Sequence, residues 1–374
     1  MPCGRLRSVW LSKIQIKIKG ATPMIFDKES IQDLLIGSLL LGGGGGGCPK
    51  EGAERALSAL KLGNVELITI EELKERSSDG CIVTISGVGS PASDTAYYSD
   101  DVYPRILELL GTQSETPIAG FISCELGASS SFEPFIPAAL SGLPIIDAPC
   151  DGRAHPLGVM GSLGLENSGQ TVIQAAAGGR PENKTYTELT VKGTVENTAS
   201  LVRNAAHLAG GAVAVARNPV SIPYLETHAA AGAYAQAIKL GRAYRTAASP
   251  ALAIEAALCQ LNGRILCTGT VENCTLETRN ALDYGTFRIS TASIPCQIGF
   301  CNEYMYAAIG GERLAVFPDL ITTIETNTGR IIASADIQEG MELTVISAPR
   351  SELKLGAGLL NKQNYLPLEG VLGE

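Results

Sequence analysis

Histidine is scarce, with three among 374 residues, so a metal centre built mainly of imidazoles is excluded. The ten cysteines include no CxxC pair, so no local thiol motif marks a zinc or redox site. No apolar run approaches the ~20 residues that span a bilayer, and no membrane partner is expected. Basic clusters are missing beyond the extreme N-terminus and the net charge is −9, which argues against nucleic acid as a partner. The first twenty residues lack the apolar core and cleavage site of a signal peptide, and a cytoplasmic protein is expected.

What is present is an ordinary globular composition, 45% hydrophobic and 18% charged, over a length that suits two domains. The most unusual stretch is the run of six glycines from Gly42 to Gly47, followed by Cys48 and Pro49. It lies between an apolar segment and a predicted helix (Glu51 to Lys61), which favours a shaped loop over a flexible linker. No Gly-Lys-Ser/Thr closes it, so it is not a P-loop, and the helical stretch before it is the wrong context for GxGxxG. Backbone N–H groups of Gly43, Gly44, Gly45, Gly46 and Gly47 are candidates for holding a carboxylate or an oxyanion.

Periodicity gives a helix over 27–41, capped by Asp27 or Ser30. Strands are expected at Val65 to Ile70, Cys81 to Ile85, Ile118 to Ser123 and Leu143 to Ile146. Helices are expected at Glu71 to Arg76, Val102 to Leu110 and Phe135 to Leu140. A second small-residue loop runs from Ser86 to Pro91, and Lys13 to Lys19 alternates as a short strand. The region 171–250 is rich in Ala and Gly, with helices at Thr194 to Leu208 and Pro223 to Arg245, and its small residues would suit packing in a homo-oligomer. From Leu261 the texture changes to short strands with turns, including Leu320 to Glu325. The expected fold is α/β: a loose extension at 1–23, an α/β domain at 24–255, a β-rich domain at 256–350 and a tail at 351–374 that returns to the first domain.

Polar residues gather at the predicted strand exits, where α/β sheets place ligands. Glu125, Asp147, Asp151, Arg153 and His155 are too many charged groups to stand there unpaired. The bland reading is an Arg153–carboxylate bridge that only holds the loop. The functional reading makes Glu125, Asp147, Asp151 and His155 catalytic, with Arg153 binding substrate. Cys48, Cys124 and Cys150 each end an apolar segment and could supply thiolates to zinc or to an iron–sulfur cluster with an open corner. His207 reads as structural, and His228 with Glu226 as a weaker site candidate.

Several motifs together carry a family resemblance: the helix entering the glycine loop, Glu125-Leu126-Gly127, Pro137-Ala138-Ala139, Gly142-Leu143-Pro144, Asp147-Ala148 and Gly152-Arg153-Ala154-His155-Pro156. Asn302-Glu303-Tyr304, Phe317-Pro318-Asp319-Leu320-Ile321, Thr328-Gly329 and Glu339-Gly340 continue it. Over roughly Asp27 to Pro349 the chain resembles the hydantoinase-associated S-methyl-thiohydantoin desulfurases. The resemblance implies an α/β domain joined to a smaller β-rich, swivelling-type domain. It also implies hydrolytic removal of sulfur from a thiohydantoin ring, one branch resembling the enzyme that desulfurises a thiohydantoin propionate in ergothioneine breakdown. The chain departs from the family pattern with Cys48 for an acid, Pro149-Cys150 where an acid is usual, His155 for an apolar residue and Leu157 for a glutamate.

The expected activity is therefore hydrolysis of the C=S or C–S bond of a small heterocycle by a metal-bound or activated water, Asp147 or Glu125 serving as base. The alternatives left open are a cysteine nucleophile assisted by His155, a non-catalytic partner of a hydantoinase or oxoprolinase, and a cluster-dependent dehydratase of a small hydroxy acid.

Overall fold

Asp27 starts the first long helix, α1 (Lys28–Gly42), by a reciprocal capping box in which its carboxylate accepts from the Ser30 N–H at 2.8 Å. The computed structural model describes residues 23–89, 97–113, 116–279 and 282–372. The expected strand at Lys13 to Lys19 and the Ser90-Pro91 end of the second small-residue loop lie outside them.

The first of two eight-stranded sheets contains β1 (Met24–Ile25), β2 (Glu66–Ile68), β3 (Cys81–Gly89), β4 (Ile118–Ser123), β5 (Ile145–Ile146), β6 (Val172–Gly178), β7 (Thr187–Gly193) and β8 (Ala212–Ser221). Their order is β1-β2-β5-β4-β3-β8-β6-β7. Strands β2, β5, β4 and β3 are parallel, and β8, β6 and β7 extend the sheet antiparallel. Continuous apolar runs form the parallel part because both its faces are covered, and Val83, Ile85, Phe121 and Ile145 are wholly buried. Each such side chain contributes about 1.5–3 kcal/mol by leaving water.

The helices around it are α2 (Pro49–Leu62), α3 (Ile70–Arg76), α4 (Val102–Gly111), α5 (Phe135–Ser141), α6 (Val195–Leu208), α7 (Ile222–His228), α8 (Ala233–Arg245) and α9 (Pro250–Leu261). Helix α8 lies against α1, where a Cβ on Gly241 would meet the Asp33 carbonyl oxygen at 1.8 Å. Arg242 and Arg245 each bond the buried Asp33 carboxylate at 2.8 Å across this crossing.

Three expectations are corrected. Ser86 to Gly89 are not a loop but continue β3, paired with β8 from Ser86↔Val215 to Gly89↔Ala212. The helix expected from Pro223 to Arg245 is two helices, because the Ala230 and Gly232 N–H groups bond the Pro149 and Asp147 carbonyls instead of continuing a helical ladder. Within 171–221, β6, β7 and β8 are strands that alanine-rich sequence such as Ala175-Ala176-Ala177 did not signal.

The second sheet is wholly antiparallel: β9 (Arg264–Arg279), β10 (Leu282–Ser290), β11 (Cys296–Cys301), β12 (Glu303–Ile309), β13 (Glu312–Val316), β14 (Leu320–Glu325), β15 (Ile331–Ile332) and β16 (Glu342–Ala348). The glycine loop joins it to the first. Gly43 ends α1 in the left-handed region (φ 58°), as do Gly44, Gly46 and Gly47 after it, a course that a side chain would strain. The carbonyls of Gly43 and Gly44 accept from the N–H groups of Tyr304 and Ser334 at 2.8 and 2.9 Å. Returning after β16, the chain bonds Lys354 O to the Gly152 N–H, also at 2.9 Å.

Candidate functional site

Two strand exits are laced together by backbone bonds. The Cys150 N–H donates to Ser123 O at 2.9 Å and the Leu126 N–H to Asp151 O at 3.0 Å. This places Cys124, just past β4, beside the segment that follows β5. Both thiols are buried, and Cys150 Sγ lies 3.4 Å from Thr84 Oγ1 on β3.

Arg217, from β8, donates through Nη2 to Cys124 Sγ at 3.0 Å, and His155 Nε2 stands 4.0 Å from the same sulfur. The Cys150 thiol, with these two cations, holds Cys124 well below the usual thiol range, against the opposing effect of burial. Burial pushes Cys150 the other way, well above that range. Of the two, Cys124 is the one favoured to carry the charge. Gly161 makes the close approach possible, since a Cβ there would lie 2.2 Å from Cys124 Sγ and 2.8 Å from His155 Nε2.

His155 is nearly enclosed. Its ring reaches Glu125 Oε2 through Nδ1 (3.4 Å) and Asp151 Oδ2 through Nε2 (3.6 Å), while its backbone N–H donates to Glu125 Oε2 at 3.0 Å. Burial disfavours a charged ring, but Glu125 and the Cys124 sulfur overcome it and raise His155 to about 10. Asp151 is fully buried, accepts from the Gly356 N–H at 2.8 Å and is pushed by burial well above the carboxylate range. Glu125 is also raised by burial, and its side chain keeps 16% exposure. The arrangement favours a thiolate at Cys124 beside the His155 imidazolium and the Arg217 guanidinium. That is a nucleophile with an acid beside it.

Next to it lies a second polar group. Arg153 is completely buried and its Nη1 donates to Pro318 O and Asp319 O, both at 2.8 Å, while its guanidinium stacks 4.5 Å from the Phe317 ring centre. Its Nη2 has no partner among the described residues. Burial lowers Arg153 to about 10. Glu303, at the start of β12, is buried against the glycine loop, with Oε2 also unpartnered among the described residues. Burial, then the charge of Glu125, raises it to about 8.

Of the residues expected in the site, Cys124, Glu125, Cys150, Asp151 and His155 are brought together. Arg153 joins Glu303 and the glycine loop, where a Cβ on Gly43 would fall 2.7 Å from Arg153 Nη2. Asp147 faces elsewhere: its two oxygens accept from the Tyr234 and Ala235 N–H groups at 2.7 and 3.2 Å, capping α8, whose own N-cap, Gly232, has no side chain. Burial raises it to about 6. Cys48 is exposed at the N-terminus of α2, unlike the buried Cys124 and Cys150. Among the described residues no group of three or more His, Cys, Asp and Glu side chains is arranged to hold a metal ion, and exposed Cys48 does not share the buried setting of Cys124 and Cys150. His207 is exposed near the end of α6, and His228 stacks on Tyr224 with ring centres 3.9 Å apart. Sequence reasoning missed Arg217 and the buried setting of Glu303. Arg217 sits in an unrecognised strand, while Glu303 stood in a motif read only for family likeness.

Fold and site together define a two-sheet protein, mixed α/β and antiparallel β, with a buried cysteine–imidazole–guanidinium centre in the first unit. Residues 29–187 match the family model for the S-Me-THD-like N-terminal domain, and residues 193–355 the one for the S-Me-THD-like C-terminal domain. The chain belongs to this S-Me-THD-like family. A protein from Chromobacterium violaceum, known from an X-ray crystal structure, aligns with a TM-score of 0.71 at 20% identity, covering 94% of this chain and 98% of that one. At that identity the likeness shows the shared fold. No curated protein matches the chain.

Proposed function

We propose that this protein is a desulfurase that hydrolyses the thiocarbonyl of a thiohydantoin-type ring, using Cys124 as nucleophile. The observation that carries this reading is the Cys124 sulfur, bonded by Arg217 at 3.0 Å with His155 4.0 Å away. The family assignment supplies the substrate class.

In the first half-reaction the Cys124 thiolate adds to the C=S carbon, and the exocyclic sulfur takes the electron pair. His155 passes its proton to that sulfur, which leaves as hydrosulfide while ring nitrogen lone pairs make the C=N bond of an S-cysteinyl isothiouronium. In the second half, neutral His155 takes a proton from water as the oxygen bonds the same carbon. Collapse expels the Cys124 thiolate and forms C=O, with one proton released to solvent. The balance is ring thiocarbonyl plus water giving ring carbonyl, hydrosulfide and a proton. Glu125 holds His155 in place and favours its charged form, while Arg217 keeps the returning sulfur anionic. The finer assignment within this class is a thiohydantoin carrying a propionate, as in ergothioneine breakdown.

The test is sulfide release from 2-thiohydantoin by wild type, Cys124→Ser and Cys150→Ala. Loss of turnover in Cys124→Ser is the expected outcome, with a partial fall in Cys150→Ala, which removes one of the groups that favour the Cys124 thiolate. Sulfide release by Cys124→Ser at the wild-type rate would sink the nucleophile assignment, and none from wild type on any thiohydantoin would sink the function.

A further inference from the structure

Glu303 has no part in the chemistry above, yet its placement is unusual. It is 2% exposed, among the described residues makes no ion pair and leaves Oε2 without a partner, and a Cβ on Gly45 would fall 1.9 Å from its Oε1. The glycine run therefore lets the main chain close over this carboxyl group. A buried acid costs several kcal/mol if left charged and alone, so the group is held neutral or waits for a ligand. Arg153 Nη2 is a second unpartnered polar atom in the same loop region, packed against Gly43 as Glu303 is against Gly45. Orphaned buried donors and acceptors of this kind require an explanation, and a small polar ligand supplies one. Gly45 and Gly46 are half-buried, so the loop comes up to solvent beside them.

A neutral carboxylic acid has one donor and one acceptor side by side. Its complement is a planar group with an N–H beside a C=O, such as the lactam or imide edge of a cyclic ureide. Glutamate in its charged form offers two acceptors and is repelled by that carbonyl.

Resting on the desulfurase reading for the ring class, we infer that Glu303, in its acid form, binds the N–H/C=O edge of the ring, formed by the nitrogen bonded to the reacting carbon and the carbonyl on its other side. Arg153 Nη2 supplies a further donor to the same ring carbonyl. Glu303 is then a specificity residue: it accepts rings with a free N–H next to a carbonyl and rejects those alkylated at that nitrogen. The groups that set its charge are Glu125 and His155 in the adjoining loops and Arg153, while burial, and then its own charge, push the neighbouring Cys301 thiol up. Glu125 and burial favour the neutral form, and His155 and Arg153 oppose it.

The experiment is calorimetric binding of hydantoin and 3-methylhydantoin from pH 6.5 to 9.5 (about three pH units, spanning the expected titration), to wild type, Glu303→Gln and Glu303→Asp. Wild-type affinity for hydantoin should fall about ten-fold per pH unit above about 8, beyond the change seen in Glu303→Gln, whose amide keeps a donor and an acceptor at every pH. Ionisation of the ring itself acts on both proteins alike, so their difference reports Glu303. Glu303→Asp, which withdraws the carboxyl, should bind at least ten-fold more weakly throughout, and 3-methylhydantoin should lose at least ten-fold on wild type. Matching pH profiles for wild type and Glu303→Gln, or equal affinity for the methylated ring, overturn the inference. Sulfide release measured in parallel separates the two readings. Turnover with either of those results removes Glu303 and leaves the desulfurase. The predicted binding pattern without sulfide does the reverse, and absence of both removes both.

Discussion

Arg217 and Cys124, 93 residues apart in sequence, meet through a guanidinium–sulfur contact of 3.0 Å inside the first sheet's polar end. A buried thiol alone would be held as the neutral acid, because burial disfavours its charge. The bond with Cys150, together with Arg217 and His155, reverses that preference. A predicted consequence is that Arg217→Met raises the midpoint of Cys124 alkylation by iodoacetamide by about one pH unit or more. Mass spectrometry of the labelled peptide across pH reads it, and an unmoved midpoint would show that Arg217 does not set the thiolate.

The imidazolium of His155 depends on Glu125. Sulfide release by wild type should be lost as pH rises through about 10, where the ring gives up its proton. Glu125→Gln removes the charge that favours the imidazolium, so the loss moves to lower pH, towards the ordinary ~6.5. Stability follows the same sign. A raised imidazole pKa stabilises the fold fully below the unfolded value near 6.5, and that stabilisation disappears as pH climbs through about 10. The melting-temperature gap between wild type and His155→Gln should therefore narrow over this window, and a gap that widens would contradict the assignment.

Gly161 is the spacer that lets Cys124 and His155 share one position. Gly161→Ala inserts a methyl 2.2 Å from the sulfur, so the sulfur or the ring must move. Displacement of this order in a reacting pair lowers turnover by about 100-fold. Circular dichroism should show the fold retained, and wild-type turnover in this variant would mean the pair does not act together.

Asp147 caps the start of α8 through both carboxylate oxygens. Asp147→Ala leaves two N–H groups at the start of α8 without their carboxylate, at about 1–2 kcal/mol of stability. Asp147→Asn should keep kcat for sulfide release within a few-fold while lowering the denaturation midpoint. Loss of kcat in a variant that melts like wild type would return Asp147 to the catalytic set.

Cys48 is exposed, away from the buried thiols, so Cys48→Ser should preserve turnover within about two-fold and stability within about 0.5 kcal/mol. Elemental analysis of anaerobically purified wild type and Cys48→Ser completes the test. Stoichiometric zinc or iron that Cys48→Ser removes would show the three thiolates gathering around a metal after all.

Much of the first sheet was legible because its signals are local. The run Cys81 to Ile85 is apolar because both its faces are covered, and Asp27 announces α1 by a bond to a residue three positions on. The strand Ile118 to Ser123 appears with its expected ends. The strands β6, β7 and β8 were not legible, since an alanine run suits a helix or a buried strand equally and only pairing with neighbours decides, whereas the helix between β7 and β8 appears where it was expected.

The site divides the same way. The sequence by itself determined which groups crowd the strand exits, because five charged residues near buried strands must find partners, and it determined that the six glycines mark a shaped turn. Only the tertiary structure decided the partners. It brought Arg217 from β8 to Cys124, set Glu303 against Gly45, left Cys48 in solvent and turned Asp147 to cap α8. Charge, thiol and imidazole act over a few ångströms, and at such distances the backbone bonds between β4 and β5 and the crossing of β3 by β8 choose who meets whom.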